Sequence, residues 1–118
     1  MNPTSLSKSL GIFSLALGAG ELLFGRKIAD ATGVRSPKLV QTFGARELAS
    51  GAAILARPSN PTGVMSRIGG DLLDLAAVGR AALRRADPAR KGALGALGIV
   101  AGALLIDTYA AARLARAR

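Results

Sequence analysis

The chain has no cysteine, no histidine and no tryptophan. Without cysteine there is no disulfide and no thiolate to act as nucleophile or soft metal ligand. Without histidine the commonest acid/base group and metal ligand at neutral pH is missing, and no serine stands in a recognisable nucleophile motif. Aromatic residues make up only 3%, one Tyr and three Phe, too few to fill an ordinary globular core or to stack on bases. No stretch alternates with period two for long enough to suggest strands.

What is present is small and apolar. Hydrophobic residues account for 50% of 118 positions, with 15 glycines and a mean hydropathy of +0.36. A chain this apolar is not disordered, and its length fits one domain, 1–118. Ala, Leu and Gly together suit close helix packing through small side chains, as in membrane bundles. The net charge of +9 would suggest nucleic acid if the basic residues shared a face. They flank the apolar segments instead, as anchors to anionic headgroups do, so a lipid bilayer and not nucleic acid is the expected partner. The connections near 26–38 and 84–91 carry eight Lys or Arg against five around the termini and residue 57. That bias leans towards termini facing away from the cytoplasm.

Four dipeptides punctuate the chain: Asn2-Pro3, Ser36-Pro37, Asn60-Pro61 and Asp87-Pro88. Each joins a side chain able to cap a helix to a proline suited to the first turn. They predict helices near 3–25, 37–56, 61–85 and 88–116. The segment Arg26 to Val34 reads equally as a short interfacial helix or as a loop closed by Gly33. The first apolar run also has the outline of a cleaved signal peptide, although similar runs recur downstream.

Gly92 to Ile106 contains fifteen residues without a polar side chain, whereas a water-soluble bundle needs a polar outer face on every helix. The third helix is the difficult one. Arg67, Asp71 and Asp74 fall within about 60° of one another on an otherwise apolar helix. Its charges could cost up to ~12 kcal/mol at the bilayer centre, against about −3 from its apolar residues, so it inserts only with partners. The expected fold is therefore all-α, a four-helix transmembrane bundle with antiparallel neighbouring helices.

Glu21, Arg46, Glu47, Arg67, Asp71, Asp74 and Asp107 would lie inside such a bundle. Five acids against two bases leave a formal −3, which predicts protonated carboxyls or an entering cation or water. Arg46 with Asp74, and Arg67 with Asp71 or Asp107, are the expected pairs. Such a network either fixes helix register or marks a polar pathway or binding site. Catalysis ranks below both, and the carboxylates show no ligand spacing that names a metal or cofactor. Gly95, Gly98 and Gly102 form a small-residue face suited to packing against another helix or a second copy of the chain. Gly18-Ala19, Glu21-Leu22 and Gly25 recur 26 positions later as Gly44-Ala45, Glu47-Leu48 and Gly51. This echo reads as an inverted repeat, or as two helices meeting one packing problem alike.

The segments GAGELL, GARELASG, RIGGDLLDL and IDTYAAARL together resemble a family of small four-helix bacterial membrane proteins. The same region often precedes a START-like domain in proteins labelled cyclase/dehydrase. The resemblance implies that the seven charged residues belong to the family's motifs, and it supplies no reaction. It implies a multi-pass protein of the bacterial cytoplasmic membrane, with a separately encoded soluble START-like partner. The expected function is a membrane-embedded interaction or anchoring module. A transporter or proton/ion relay is the second reading, and a membrane enzyme on a lipid-like substrate the third.

Overall fold

A computed structural model describes residues 2–84 and 89–117. It contains five helices and, among the described residues, no strand: α1 Pro3–Leu23, α2 Gly25–Thr32, α3 Pro37–Ala56, α4 Thr62–Arg84 and α5 Ala89–Arg116. The cap residues explain three of the starts. Asn2 accepts from the Ser5 amide at 2.7 Å, Ser36 from the Leu39 amide at 3.2 Å, and Asn60 from the Thr62 amide at 2.9 Å, each satisfying a donor the helix leaves free. The expected start at Asp87-Pro88 lies outside the described residues. The segment left open between helix and loop is α2, which ends at Gly33 with φ 75°, a left-handed conformation that glycine adopts without steric cost.

Two antiparallel pairs make the body. α1 lies along α3, and α5 along α4, with α2 bridging to α3 and α5. The first pair meets backbone to backbone. A Cβ on Gly18 would stand 2.6 Å from the Gly44 carbonyl oxygen, and one on Gly51 would stand 2.8 Å from that of Gly11. Only glycine permits this approach, which sets the two helices at close range in one register. Gly92 does the same for α2, because a Cβ there would collide with the Ala31 carbonyl oxygen.

Two apolar clusters result, one at each end of the α4/α5 pair. Leu10, Ile54, Val64, Ala110 and Leu114 form the first; Val78, Ala81, Ala82 and Ala93 form the second. Along α4, Arg67, Asp71 and Asp74 fall between Val64 and Val78, so the charges occupy the layer between the two clusters.

The expected four-helix transmembrane bundle requires correction. The described residues form five helices, and among them only α1 and α5 are long and apolar enough to cross a membrane, with mean hydropathies of 1.3 and 1.7. The physical reason lies in the composition of the other two long helices. Lys38, Arg46 and Glu47 dilute α3, and Arg67, Asp71, Asp74 and Arg80 dilute α4, so neither presents an apolar stretch of spanning length. Only 17% of the apolar stretch of α5 is buried, and Ile99 and Leu105 are about three-quarters exposed. That distribution is unlike the buried central helix of a water-soluble domain.

Candidate functional site

Arg67 organises the middle layer. It is 1% exposed and the largest fully buried side chain. Its Nη1 donates to Glu47 Oε2 at 2.8 Å and its Nε to Asp107 Oδ1 at 3.0 Å, so one guanidinium ties α3, α4 and α5 together. A planar fork with several fixed donors suits this task, whereas a lysine ammonium does not. Phe13 of α1 closes the fourth side, its ring centroid 5.4 Å from the guanidinium carbon, within cation–π range. Ser14, also on α1, lies 2.6 Å from Glu47 Oε2 and 2.7 Å from the Glu47 carbonyl oxygen. Its single proton serves one of them at a time.

Of the expected pairs, Arg67 with Asp107 is formed. Among the described residues, Arg67 with Asp71 and Arg46 with Asp74 are not within ion-pair distance, and Glu47 takes the place expected for Asp71. Arg46 instead reaches towards the Ser66 carbonyl at 3.4 Å and rests over Gly70, where a Cβ would stand 3.0 Å from both terminal nitrogens. Gly70 makes room for that side chain.

The remaining acids have no such partner. Glu21 and Asp71 are 8% and 3% exposed; Glu21 Oε1 and Asp74 Oδ1 are buried without a hydrogen bond, while Asp71 and Asp107 share a side-chain hydrogen bond, which two carboxyls make only with a proton between them. Carboxylate oxygens of Glu47, Asp71 and Asp74 lie within 4.8 Å of one another. Glu21 faces Asp74 and Glu47, while Asp71 faces Asp107. Like charges held this close in a poorly solvated layer repel strongly, and unpaired buried carboxylates are among the costliest groups a fold can contain. The arrangement therefore demands cations, whether protons or something larger.

A cavity of about 210 Å³ opens onto these acids. Glu21, Arg67, Asp71 and Asp74 line it together with Phe13, Leu17, Phe43, Val78, Ile99 and Val100. Six of the seven charged residues singled out in the sequence therefore meet in one layer, and Arg46 stands at its edge. The glycines of α5 belong elsewhere: a Cβ on Gly95, Gly98 or Gly102 would meet open space. The glycines in close contact are Gly11 and Gly18 of α1, Gly25 of α2, Gly44 and Gly51 of α3, Gly63 and Gly70 of α4, and Gly92 at the start of α5.

Sequence reasoning missed Ser14 and Phe13 as members of the site. A signal existed for Ser14, which shares a narrow helical stripe with Gly18 and Glu21. None existed for Phe13. Comparison with protein-family models, curated proteins and solved structures finds no match to the chain.

Proposed function

We propose that this protein is a membrane protein that binds a cation at a buried carboxylate site and passes it on, as a transporter or ion relay. One observation carries the reading. Arg67 is already matched by Glu47 and Asp107, yet Glu21 and Asp74 line a cavity beside it with buried oxygens that no hydrogen bond reaches, and Asp71, in the same lining, bonds to another acid, Asp107. Intramembrane acids of this kind mark ion and proton pathways. A purely architectural network would have paired them, because half-satisfied charges cost more than an apolar core.

In this proposal α1 and α5 cross the bacterial cytoplasmic membrane, with α3 packed along α1 and α4 along α5. The apolar surfaces of α1 and α5 face lipid, and the more basic end, holding Arg26, Lys27, Arg35, Lys38 and Arg90, faces the cytoplasm. The longest dimension of the fold, 46 Å, is close to the thickness of a bilayer with its headgroups, about 40–45 Å. The test is flux in proteoliposomes under a membrane potential, with protons, sodium and potassium offered separately. Asp74→Asn keeps the shape and removes the charge, so it should abolish flux while circular dichroism stays unchanged. Undiminished flux would overturn the reading.

A second reading, an interaction or anchoring module, draws on α5. Its Gly95, Gly98 and Gly102 face open space beside exposed Leu94 and Ile99, and small residues on one face let a second helix approach closely. Such a helix could belong to another copy of the chain or to the anchored assembly of a START-like partner. Gly98→Leu should then release whatever copurifies in mild detergent; loss of nothing would remove this reading.

A further inference from the structure

The hairpin of α3 and α4 is closed at its turn and open at its far end, and the helix register shows where the opening begins. A Cβ on Gly63 would stand 2.7 Å from the Ile54 side chain, and the Ser50 and Ser66 hydroxyls meet at 2.6 Å. At the next step Arg46 lies over Gly70. Further steps of three or four residues, back along α3 and forward along α4, set Phe43 opposite Leu73, Leu39 opposite Ala77 and Ser36 opposite Arg80. These residues line a groove of about 620 Å³ instead of closing it. The α4 wall presents Ala76, Ala77 and Ala81, whose single methyls are too short to bridge the gap.

The groove is divided by chemistry along its length. Leu39, Phe43, Leu73 and Ala77 make a hydrocarbon wall, and Arg80 and Arg84 line the end towards Gly33 and Ser36. Leu73 and Leu39 are 51% and 36% exposed, so the groove opens to the surroundings of the protein. Arg80 and Arg84 stand four residues apart on one helix face, their Cβ atoms about 5–6 Å apart, and like charges at that spacing weaken a helix. Among the described residues neither arginine has an ion-pair or hydrogen-bond partner for its side chain, and no acid lines the groove. Two unmatched cations therefore stand at the head of an apolar channel. Water is a poor occupant of the rest, since each buried water needs two to four polar partners.

We infer that this groove holds an anionic phospholipid of the cytoplasmic leaflet, its phosphate between Arg80 and Arg84 and one acyl chain against Leu39, Phe43, Leu73 and Ala77. The inference rests on the membrane crossing proposed above and adds a site separate from the acid-lined cavity, with which the groove shares only Val34 and Phe43 among the described residues. A phosphodiester accepts charge-assisted hydrogen bonds from both guanidinium groups and removes the repulsion between them. Charge complementarity also chooses among lipids. An ammonium headgroup would meet two arginines and no acid, whereas an anionic headgroup leaves no cation unmatched. A nucleic acid would satisfy the arginines and leave the hydrocarbon wall uncovered. The groove's charged end is the one placed at the cytoplasm, where basic pockets between helices collect anionic headgroups.

The probe is dioctanoyl phosphatidylglycerol, titrated into the detergent-purified protein and followed by calorimetry, with dioctanoyl phosphatidylcholine and inorganic phosphate as controls. Phosphatidylglycerol should bind saturably and at least about tenfold tighter than phosphatidylcholine, and phosphate alone should not bind at the same concentrations. Arg80→Gln with Arg84→Gln, two exposed positions, should remove that preference. Arg57→Gln with Arg116→Gln takes the same charge from the other end of the molecule and should leave the preference intact. Ala77→Phe fills the apolar wall, keeps both arginines and should weaken phosphatidylglycerol by about tenfold or more. The two arginine pairs keep the test decisive if Ala77→Phe fails to fold. Equal affinity for the two lipids would overturn the inference, as would phosphate binding as tight as the lipid, equal losses in the two arginine pairs, or undiminished binding in a folded Ala77→Phe. The two readings also fail separately. Cation flux without this lipid preference would sink the inference and leave the transport proposal standing. Selective lipid binding with no flux of any cation would do the reverse.

Discussion

Arg67 is the residue on which the middle layer depends. It is the only basic side chain that contacts the buried acids at ion-pair distance among the described residues, and it satisfies two of them from two helices. Arg67→Ala should destabilise the detergent-solubilised protein by about 3–5 kcal/mol, because it strands Glu47 and Asp107 as uncompensated buried charges. Arg67→Lys should recover little of this, since one ammonium cannot reproduce donors at Nε and Nη1 in fixed planar geometry. Thermal or denaturant unfolding of both variants checks the pair, and a lysine variant as stable as the wild type would refute the role of the fork. Ser14→Ala removes one hydrogen bond to Glu47 and should cost about 1–2 kcal/mol, chiefly by leaving an acceptor less satisfied. At this scale the sequence was informative about membership and silent about pairing. The placement of Arg67, Asp71 and Asp74 on one stripe follows from helical periodicity. Which acid Arg67 would choose does not, because Glu47 lies 20 residues away on another helix and five carboxylates compete for the same cation.

Helix starts were legible because they are local. Asn2, Ser36 and Asn60 act on amides within three residues, so composition alone carries the signal. Helix contacts were legible only in part, since glycine at spacing four marks an approachable face without naming its partner. Gly18 and Gly44 proved to be each other's neighbours, which turns the 26-residue echo into a physical contact: two like segments cross antiparallel at their glycines. Gly98, read from the same kind of spacing, faces open space. The contrast is testable. Gly18→Val should disrupt the α1–α3 pair and lower stability by more than about 2 kcal/mol, as overpacking against backbone does. Gly98→Val should stay within about 0.5 kcal/mol of wild type in the monomer, because nothing stands where its side chain would go. Unfolding of the two variants side by side decides, and equal losses would show that the glycines are not distinguished by contact.

For the whole molecule, the number of spanning helices was not legible from punctuation. Four prolines count long helices, whereas crossing a bilayer depends on the apolar length of each, and α3 and α4 lack it. The end-to-end arrangement is a separate matter. Asn2, Ser59, Leu114 and Ala117 surround one concavity, so both termini and the α3–α4 turn share one end of the molecule. The chain has no native cysteine, which makes site-directed labelling clean. In the proposed membrane protein, Asn2→Cys and Ala117→Cys should react with a membrane-impermeant maleimide from the same side of sealed vesicles, and Lys27→Cys and Lys91→Cys from the other. Labelling of Asn2→Cys and Lys27→Cys from one side would exclude the proposed crossing by α1.

The whole account turns on carboxylates kept in excess of their partners, which architecture alone would have removed. The thermal stability of Asp71→Asn with Asp74→Asn, against wild type in the same detergent without added cation, tests this most directly. Asparagine preserves shape and removes two negative charges from a layer that has too many. If the acids are held for an incoming cation at a cost to the fold, the double variant unfolds at higher temperature than wild type. If it unfolds at lower temperature, the acids hold the bundle together, and the cation site is contradicted.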